Sequence, residues 1–520
     1  MSMYGAVKVV PTSKKPLSLT TQRTKLKPVY GQVEELVAKG TPFSARSLNI
    51  LARGQAVMGN LPEAEKTIDR MRSAPTKQYE VFSNDQQVVI SLSDIGAIAW
   101  KLGDKDNSKR LLDKAFEELE VLPLKEGYSK PAQDRVLLLR MARGMILFKD
   151  MEDAKTTLRR AGSAALALVA RIEEQEKDPN AHKGEDELNR RLRDTFRPTD
   201  RGNSTTLEVA ELQVEVGDKT GGRETLNGLT PPATPRPDKV WDLRAYVRYW
   251  QARASIGDTA KAKVAMQTTI PITRTIQNPQ ERADAIMVIA KAAIENQGIG
   301  DPKTILGQAY PTIMSLKSSQ TVVNYLNDLA TLQSQAHDKS GAKKSLEMAL
   351  QSARSSGSFD QWLLARAAET YGEIGEPTIA KSLAAKISND LQIGPLVTAG
   401  QAYAKSKNLV AAQNAFAEAS RSASRMGDRP TRASFLINVA TEQHLIGADN
   451  AAAITLSLAE NSAKAITEQN REDLFGRIAE LRASMGDTAR ASTLLKMIKS
   501  EETRLTWANI VILSTTGFKS

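Results

Sequence analysis

The stretch "RASMGDTARAS", Arg482 to Ser492, recurs almost unchanged as "RASIGDTAKAK", Arg253 to Lys263. Taking its glycine as an anchor, small residues stand seven positions before and five after. Ala479, Gly486 and Ala491 form one such set, Ala440, Gly447 and Ala452 another, and Ala368, Gly375 and Ala380 a third. Ala210, Gly217 and Gly222 repeat the spacing upstream, as do Gly96, Gly103 and Ser108. Nine residues past the anchor comes a large apolar side chain: Ile68, Leu112, Leu158, Leu226, Met266, Leu346, Phe416, Leu456 and Leu495. Twelve past it, Ala115, Ala161, Ala349, Ala419 and Ala459 return to a small one.

This is the pattern of a helical hairpin. A glycine adopts the left-handed conformation that closes a first helix, and the aspartates that follow it (Asp104, Asp218, Asp258, Asp487) can cap a second. Alanines on either side of the turn let the two helices approach closely, and the large residue fills the gap against the next hairpin.

The offsets resemble those of the tetratricopeptide repeat. The anchors are Gly59, Gly103, Lys149, Gly217, Gly257, Gln297, His337, Gly375, Lys407, Gly447 and Gly486. The resemblance implies an all-α protein, a right-handed α-α superhelix (a solenoid) of about eleven hairpins. Three departures qualify it. Successive anchors are commonly about 40 residues apart rather than the ~34 of the standard repeat. The early tryptophan and the proline between repeats are mostly missing. Lys149, His337 and Lys407 stand where glycine is expected.

Composition agrees with this class. A chain of 520 residues exceeds one ordinary core but suits an array whose core grows with length. Hydrophobic residues make up 41%, charged residues 25% and aromatic residues 5%, favouring close-packed helices over a sandwich or barrel. Cysteine is absent, which excludes disulfides, thiolate metal sites and a cysteine nucleophile, and fits a reducing compartment. The amino terminus lacks the apolar core of a secretory signal, and no stretch reaches the ~18 apolar residues of a membrane span. The expectation is a soluble, cytoplasmic protein.

The net charge of +11 is uneven: Lys8, Lys14, Lys15, Arg23, Lys25 and Lys27 put six cations and no anion into the first 33 residues. Residues 1–35 are therefore predicted to be a basic flexible arm, suited to an acidic partner, an anionic membrane or nucleic acid. Amino-terminal repeats are expected over 36–170, a charged insertion over 171–205, and the main repeats over 206–500 with a proline-rich linker near 229–239. Apolar Leu505, Trp507, Ile510, Val511 and Leu513 predict a capping helix within 501–520.

Motifs that would carry chemistry are incomplete. His182, His337 and His444 do not have metal-ligand spacing. "GIGDPK", Gly298 to Lys303, lacks the remainder of a phosphate loop, and "DKDNSK", Asp104 to Lys109, lacks the glycine and glutamate of a calcium loop. With no nucleophile elbow, kinase set or dinucleotide fingerprint, the reading is a non-enzymatic protein with no cofactor and no metal.

Its expected role is a protein-interaction scaffold or adaptor that binds a protein or peptide. The alternative is a surface-tethered assembly protein whose arm holds anionic membrane or nucleic acid. In the resembled family the positions ten and six before the anchor face the groove. None of the former is basic here, which argues against a clamp for acidic chaperone tails. At and near the latter, Arg53, Lys101 and Arg143 make the early groove basic, while Glu211, Glu215, Glu295, Glu369, Glu373 and Glu480 make the later groove acidic despite Lys291 and Lys405. A basic segment should bind the later repeats, and the chain's own arm is one candidate, within a chain or between copies.

Overall fold

The backbone turns where the anchors predict. In the computed structural model, which describes residues 18–75, 81–124, 129–177, 198–229, 232, 235, 240–296, 298–355, 361–467 and 470–518, left-handed φ angles mark Gly59, Gly103, Gly217, Gly257, Gly375, Gly447 and Gly486. Lys149, His337 and Lys407 are the three non-glycine residues with positive φ among the described residues, at 63°, 58° and 63°. Gln297 lies outside the described residues, and its neighbour Gly298 has φ +96°. The residue after each of the other ten anchors donates its backbone N–H five residues back, as Asp104 does to Ala99 (2.9 Å), Asp338 to Gln333 (2.7 Å) and Asp487 to Arg482 (2.9 Å). Carbonyls left open at the end of the first helix are thereby satisfied.

The chain divides into two compact units, residues 42–305 and residues 1–41 with 306–520. The latter opens with α1 (Leu19–Ala38). The former then holds the pairs α2 (Ala45–Met58) and α3 (Leu61–Asp69), α4 (Asn84–Lys101) and α5 (Lys105–Val121), and α6 (Lys130–Leu147) and α7 (Met151–Lys177). Next in the same unit come α8 (Pro198–Glu215) and α9 (Lys219–Asn227), α10 (Val240–Ser255) and α11 (Thr259–Thr275), and α12 (Pro279–Glu295). Helix α13 (Pro302–Met314) crosses the boundary. The remaining pairs are α14 (Ser319–Gln335) and α15 (Lys339–Ser355), α16 (Gln361–Glu373) and α17 (Pro377–Ala384), and α18 (Asn389–Lys405) and α19 (Leu409–Ser424). Then follow α20 (Arg429–Leu445) and α21 (Asp449–Lys464), α22 (Asn470–Ser484) and α23 (Thr488–Lys496), and finally α24 (Glu501–Thr515). No strand occurs among the described residues, so the protein is an all-α array of helical hairpins.

Small residues interlock the two helices of each hairpin. Ala210, Ala368, Ala440 and Ala479 are buried seven positions before the anchor, and Ala262, Ala380, Ala452 and Ala491 are buried five after it. A methyl group built on Gly96 would sit 3.3 Å from the Ser108 carbonyl oxygen, and one on Gly222 would sit 3.2 Å from that of Ala210. The two helix backbones therefore nearly touch at these positions. All nine large residues nine past the anchor are buried. A polar tie adds to this: Thr67, Thr225 and Ser345 donate their hydroxyls to Gln55, Gln213 and Gln333 at 2.8, 2.8 and 2.7 Å. Each tie joins the position four before the anchor to the one eight after, inside the helix–helix contact. Asp104, Asp218, Asp338 and Asp487 cap their second helices through backbone N–H groups three residues on, whereas Asp258 makes no such cap bond and pairs with Arg253 at 3.4 Å.

Where a flexible arm was expected over 1–35, residues from Leu19 onward form α1. Leu26, Val29, Val33 and Leu36, at spacings of three and four, give it an apolar face buried over α23 and α24. Gln32 Nε2 donates to the Ser492 carbonyl (2.9 Å) and hydroxyl (2.6 Å). Lys39 and Thr41 bind Glu501 at 3.3 and 2.5 Å. Lys25 and Lys27 remain exposed. Charge counting drew attention to the cations and away from the apolar face between them. Lys8, Lys14 and Lys15 lie outside the described residues, as does most of the insertion and of the proline-rich linker. Helix α24 covers α22, with the Trp507 ring seated over Gly476 and its indole N–H donating to Asp473 (3.1 Å).

Two measurements check this packing. Ala262→Leu or Ala491→Leu should destabilise by roughly 1–3 kcal/mol in chemical denaturation, because neither site has room for added methylenes. His337→Gly and Lys407→Gly should each stabilise by about 0.5–1 kcal/mol, since relief of left-handed strain outweighs the extra freedom of glycine in the unfolded chain.

Candidate functional site: the first-helix row

Within residues 42–305, first helices α2, α4 and α6 lie side by side, as do α8, α10 and α12; within the other unit the row is α14, α16, α18, α20, α22 and α24. Many of the polar residues nine and six before the anchors fall where neighbouring first helices meet, and they form rungs. Arg140 of α6 binds Asp94 of α4 at 3.3 Å, and Arg143 of α6 binds Glu208 of α8. Arg248 of α10 binds Glu211 of α8 at 3.1 Å, and Gln251 of α10 donates to Glu295 of α12 at 2.5 Å. In the second unit Arg366 of α16 approaches Asp328 of α14 at 3.8 Å, and Arg477 of α22 donates to Asn438 of α20 at 3.0 Å. Apart from Arg140–Asp94, whose carboxylate is buried, these are exposed pairs that contribute about 0.2–1 kcal/mol each and serve chiefly to fix the register of one helix against the next.

The charges expected to line a groove are distributed among these rungs. Arg143 and Glu211 are paired across helices, and Glu295 contacts Lys291 at 3.9 Å as well as Gln251. Glu369 and Glu373 flank Arg366 at 3.7 and 3.8 Å, while Glu480 lies beside the half-buried Arg477. Glu215 and Lys101 are exposed. Arg53 and Lys101 are brought together around Phe148, at 5.9 and 5.7 Å from its ring centre. The carboxylates on α8, α12, α16 and α22 belong to separate hairpins; Glu369 and Glu373 share one helix. The residues sequence reasoning missed are the rung partners Asp94, Arg140, Glu208, Arg248, Asp328 and Arg366. Part of their signal was present: nine before the anchor, acid and base alternate through Asp94, Arg140, Glu208 and Arg248 and again at Asp328 and Arg366, while Ile50, Val288, Thr398 and Asn438 are uncharged.

Burial sets the acidity of several of these groups. It pushes the Glu369 carboxyl up against the pull of Arg366, because Glu369 lies across the Gly394 backbone of α18, where a side chain would collide with it. It also raises Glu442, which is hydrogen-bonded to Gln401. Asp150, buried at the turn between α6 and α7, is pushed up to about 7, mainly by burial and then by Asp153. Asp104 and Asp301 instead sit low, held by the hydroxyl, amide and backbone groups of the helix starts they cap, which accounts for the two loop-like motifs. His444 Nδ1 contacts Asp449 at 2.7 Å, His337 occupies its turn, and His182 lies outside the described residues. No cluster of His, Cys, Asp or Glu suited to a metal ion occurs among the described residues, and none of their helices is long and apolar enough to cross a membrane.

No protein-family model matches the sequence, and no curated protein does. Solved structures with similar helical arrangements include a STAND-class ATPase with a tetratricopeptide-repeat sensor from Pyrococcus horikoshii, at 13% identity and TM-score 0.25, covering 85% of this chain and 67% of that one. A second is the Naa15/Naa10 assembly bound to HypK-THB, at 12% identity and TM-score 0.27, covering 91% and 76%. A third is the Rap protein complexed with Competence and Sporulation Factor, at 9% and 0.23, covering 86% and 98%. The architecture of this chain is read from its own helices.

The titration of Asp150 gives a test of local energetics. Its carboxyl binds a proton more tightly in the folded than in the unfolded chain, so stability is fully present below about pH 4 and declines as pH rises towards 7. Asp150→Asn retains a capping side chain without the charge. It should melt higher than the parent at pH 8 and nearly alike at pH 4; an equal difference at both pH values would show that ionisation is not responsible.

Proposed function

We propose that the chain is a non-enzymatic interaction scaffold of the tetratricopeptide kind, binding a protein or peptide along its first-helix row. The observation that carries this reading is the row itself. Successive hairpins bury their apolar faces against one another and leave, on the first helices, a polar strip whose charges are spaced by the repeat. Such a strip provides many graded contacts along an extended ligand rather than one enclosed reaction centre. Charges that the rungs do not consume, such as Glu215, are available to steer and orient a partner, contributing more to encounter rate and specificity than to affinity.

The basic arm finds a closer ligand than expected. From Leu19 onward it binds the last helices of its own chain, through an apolar face and Gln32 rather than through the acidic positions of α16.

Photo-crosslinking side chains placed at Glu215 and Glu480 on first helices, and at the exposed Val264 and Ile454 on second helices, test the reading in the native host. Crosslinks to a common protein from the first pair and not the second are expected. The opposite distribution, with folding intact, would place the binding surface on the second helices and end the proposal.

A further inference from the structure

Helix α1 carries the register of a second helix. Its cap, Ser18, accepts the backbone N–H of Thr21 (3.3 Å), as Asp104 accepts that of Asn107 at the start of α5 (3.2 Å). Counting 8, 11, 15 and 18 residues past the cap gives Leu112, Ala115, Leu119 and Leu122 for α5. For α21, counted from its cap Ala448, the same steps give Leu456, Ala459, Ala463 and Ile466. From Ser18 they give Leu26, Val29, Val33 and Leu36. All of these side chains are buried.

Helix α24 is in turn built as a first helix. It ends at Gly517 (φ +77°), and Phe518 donates its N–H to the Leu513 carbonyl (2.7 Å), the five-back bond that follows the other turns. Two kinds of contact set α1 where the second helix of that hairpin belongs. The first joins successive second helices. Lys381, five past the cap Glu376 of α17, reaches Glu418, ten past the cap Asn408 of α19 (2.8 Å). Likewise Ser492, five past the cap Asp487 of α23, donates to the carbonyl of Pro28, ten past Ser18 (3.2 Å). The second kind ties the loop after a second helix to the first turn of its own first helix. Gln361 of α16 accepts the N–H of Ser388, and Glu472 of α22 that of Lys499, both at 2.9 Å. Glu501 of α24 binds Lys39 and Thr41, which follow α1, in the same way. Only the small-residue interlock is missing: half-buried Ile510, seven before Gly517, and Gln22, four past Ser18, stand in its place. That close approach belongs beside a turn, and no turn joins these two helices.

We propose that α1 and α24 are the two halves of one more hairpin, and that copies of this chain assemble by exchanging α1, each completing the hairpin of the other. In the other hairpins a short turn keeps the halves together. Here they are held by side-chain contact alone, although 462 positions separate Lys39 from Glu501. Each copy carries one α1 and one seat on α23 and α24, so a reciprocal exchange keeps every contact named above, the Gln32–Ser492 bonds included. The hinge is short. Thr41 is bound to Glu501, Phe43 is a buried residue of the other unit, and only Pro42 lies between them. Short hinges favour exchange over folding back. A foreign helix would have to present the same four apolar positions with a glutamine among them, whereas a second copy has them already. This assembly does not depend on what the first-helix row binds.

The test uses the full chain, which has no cysteine of its own. Lys39→Cys is made in one preparation and Glu501→Cys in another. These side chains are 3.3 Å apart and partly exposed, so a thiol reagent reaches them and losing their ion pair costs little. The two preparations are mixed at high concentration, warmed below the melting temperature and treated with a short bis-maleimide. A product joining one copy of each kind is expected, with a dimer in light scattering, and neither preparation alone should give that product. Diluting the mixture about tenfold before treatment should cut the dimer-to-monomer ratio by about as much, as mass action requires while the dimer is the minor species. A chain carrying both substitutions reports the closed monomer through a bridge within itself. Leu26→Asp should abolish the joined product and the dimer. Should that variant not fold, an excess of a synthetic peptide of residues 18–39 takes its place and should suppress the joined product by occupying the seat. Absence of the joined product, while the doubly substituted chain bridges internally, would overturn the proposal. So would a dimer that persists in folded Leu26→Asp or, in the other arm, a joined product that the peptide leaves undiminished.

Discussion

Everything in this molecule depends on how closely two helices can approach just beside a left-handed turn. The residue seven before the turn and the one five after it face each other across that approach, and alanine, glycine or serine is what fits. Gly96 against Ser108 and Gly222 against Ala210 show the limiting case, where even a methyl group would crowd a backbone oxygen. Once the backbones are that close, the large side chain nine past the turn is held in the space between one hairpin and the next. A polar Gln–Thr or Gln–Ser tie can also close between the helices without water. The turn can tolerate lysine or histidine at the left-handed position because the interlock around it is tight enough to hold the strained conformation.

The same geometry explains why the polar residues of the first helices pair with one another. Stacking hairpins at a regular spacing brings the position nine before one turn beside the corresponding position in the next hairpin. Where acid and base stand there on adjacent helices, as at Asp94 and Arg140 or Asp328 and Arg366, the stacking yields modest attractions. Part of the groove charge suggested by counting is consumed in this way: Arg143 and Glu211 each answer an opposite charge on an adjacent helix, while Glu369 and Glu373 flank Arg366 of their own helix. Arg53 breaks the rule. It is 4% exposed, its Nε meets no acceptor, and the carboxylate beside it, Asp94, binds Arg140.

The end of the array shows how a repeat protein covers its last apolar face. Helix α24 lies on α22, and α1, from the far end of the sequence, lies on α23 and α24. Gln32 and Ser492 meet within that contact although 460 positions separate them. A segment rich in lysine thus serves as a cap because its cations and its apolar residues occupy different sides of one helix.

The sequence alone determined the all-α hairpin repeat, the positions of ten of the eleven turns, including those at Lys149, His337 and Lys407, and the identity of the buried small and large residues. These are local properties: each hairpin is written within about 40 residues, and its helical periodicity, turn and interlock act over short distances along the chain. Tertiary structure decided which charges are spent and which remain. Whether Arg143 is a groove cation or a rung depends on Glu208, 65 positions away, and whether Arg53 has an acceptor depends on side chains from three hairpins. It also decided that the amino-terminal segment is a cap, because an amphipathic helix carries in its own sequence the face it must bury but not the surface that will bury it.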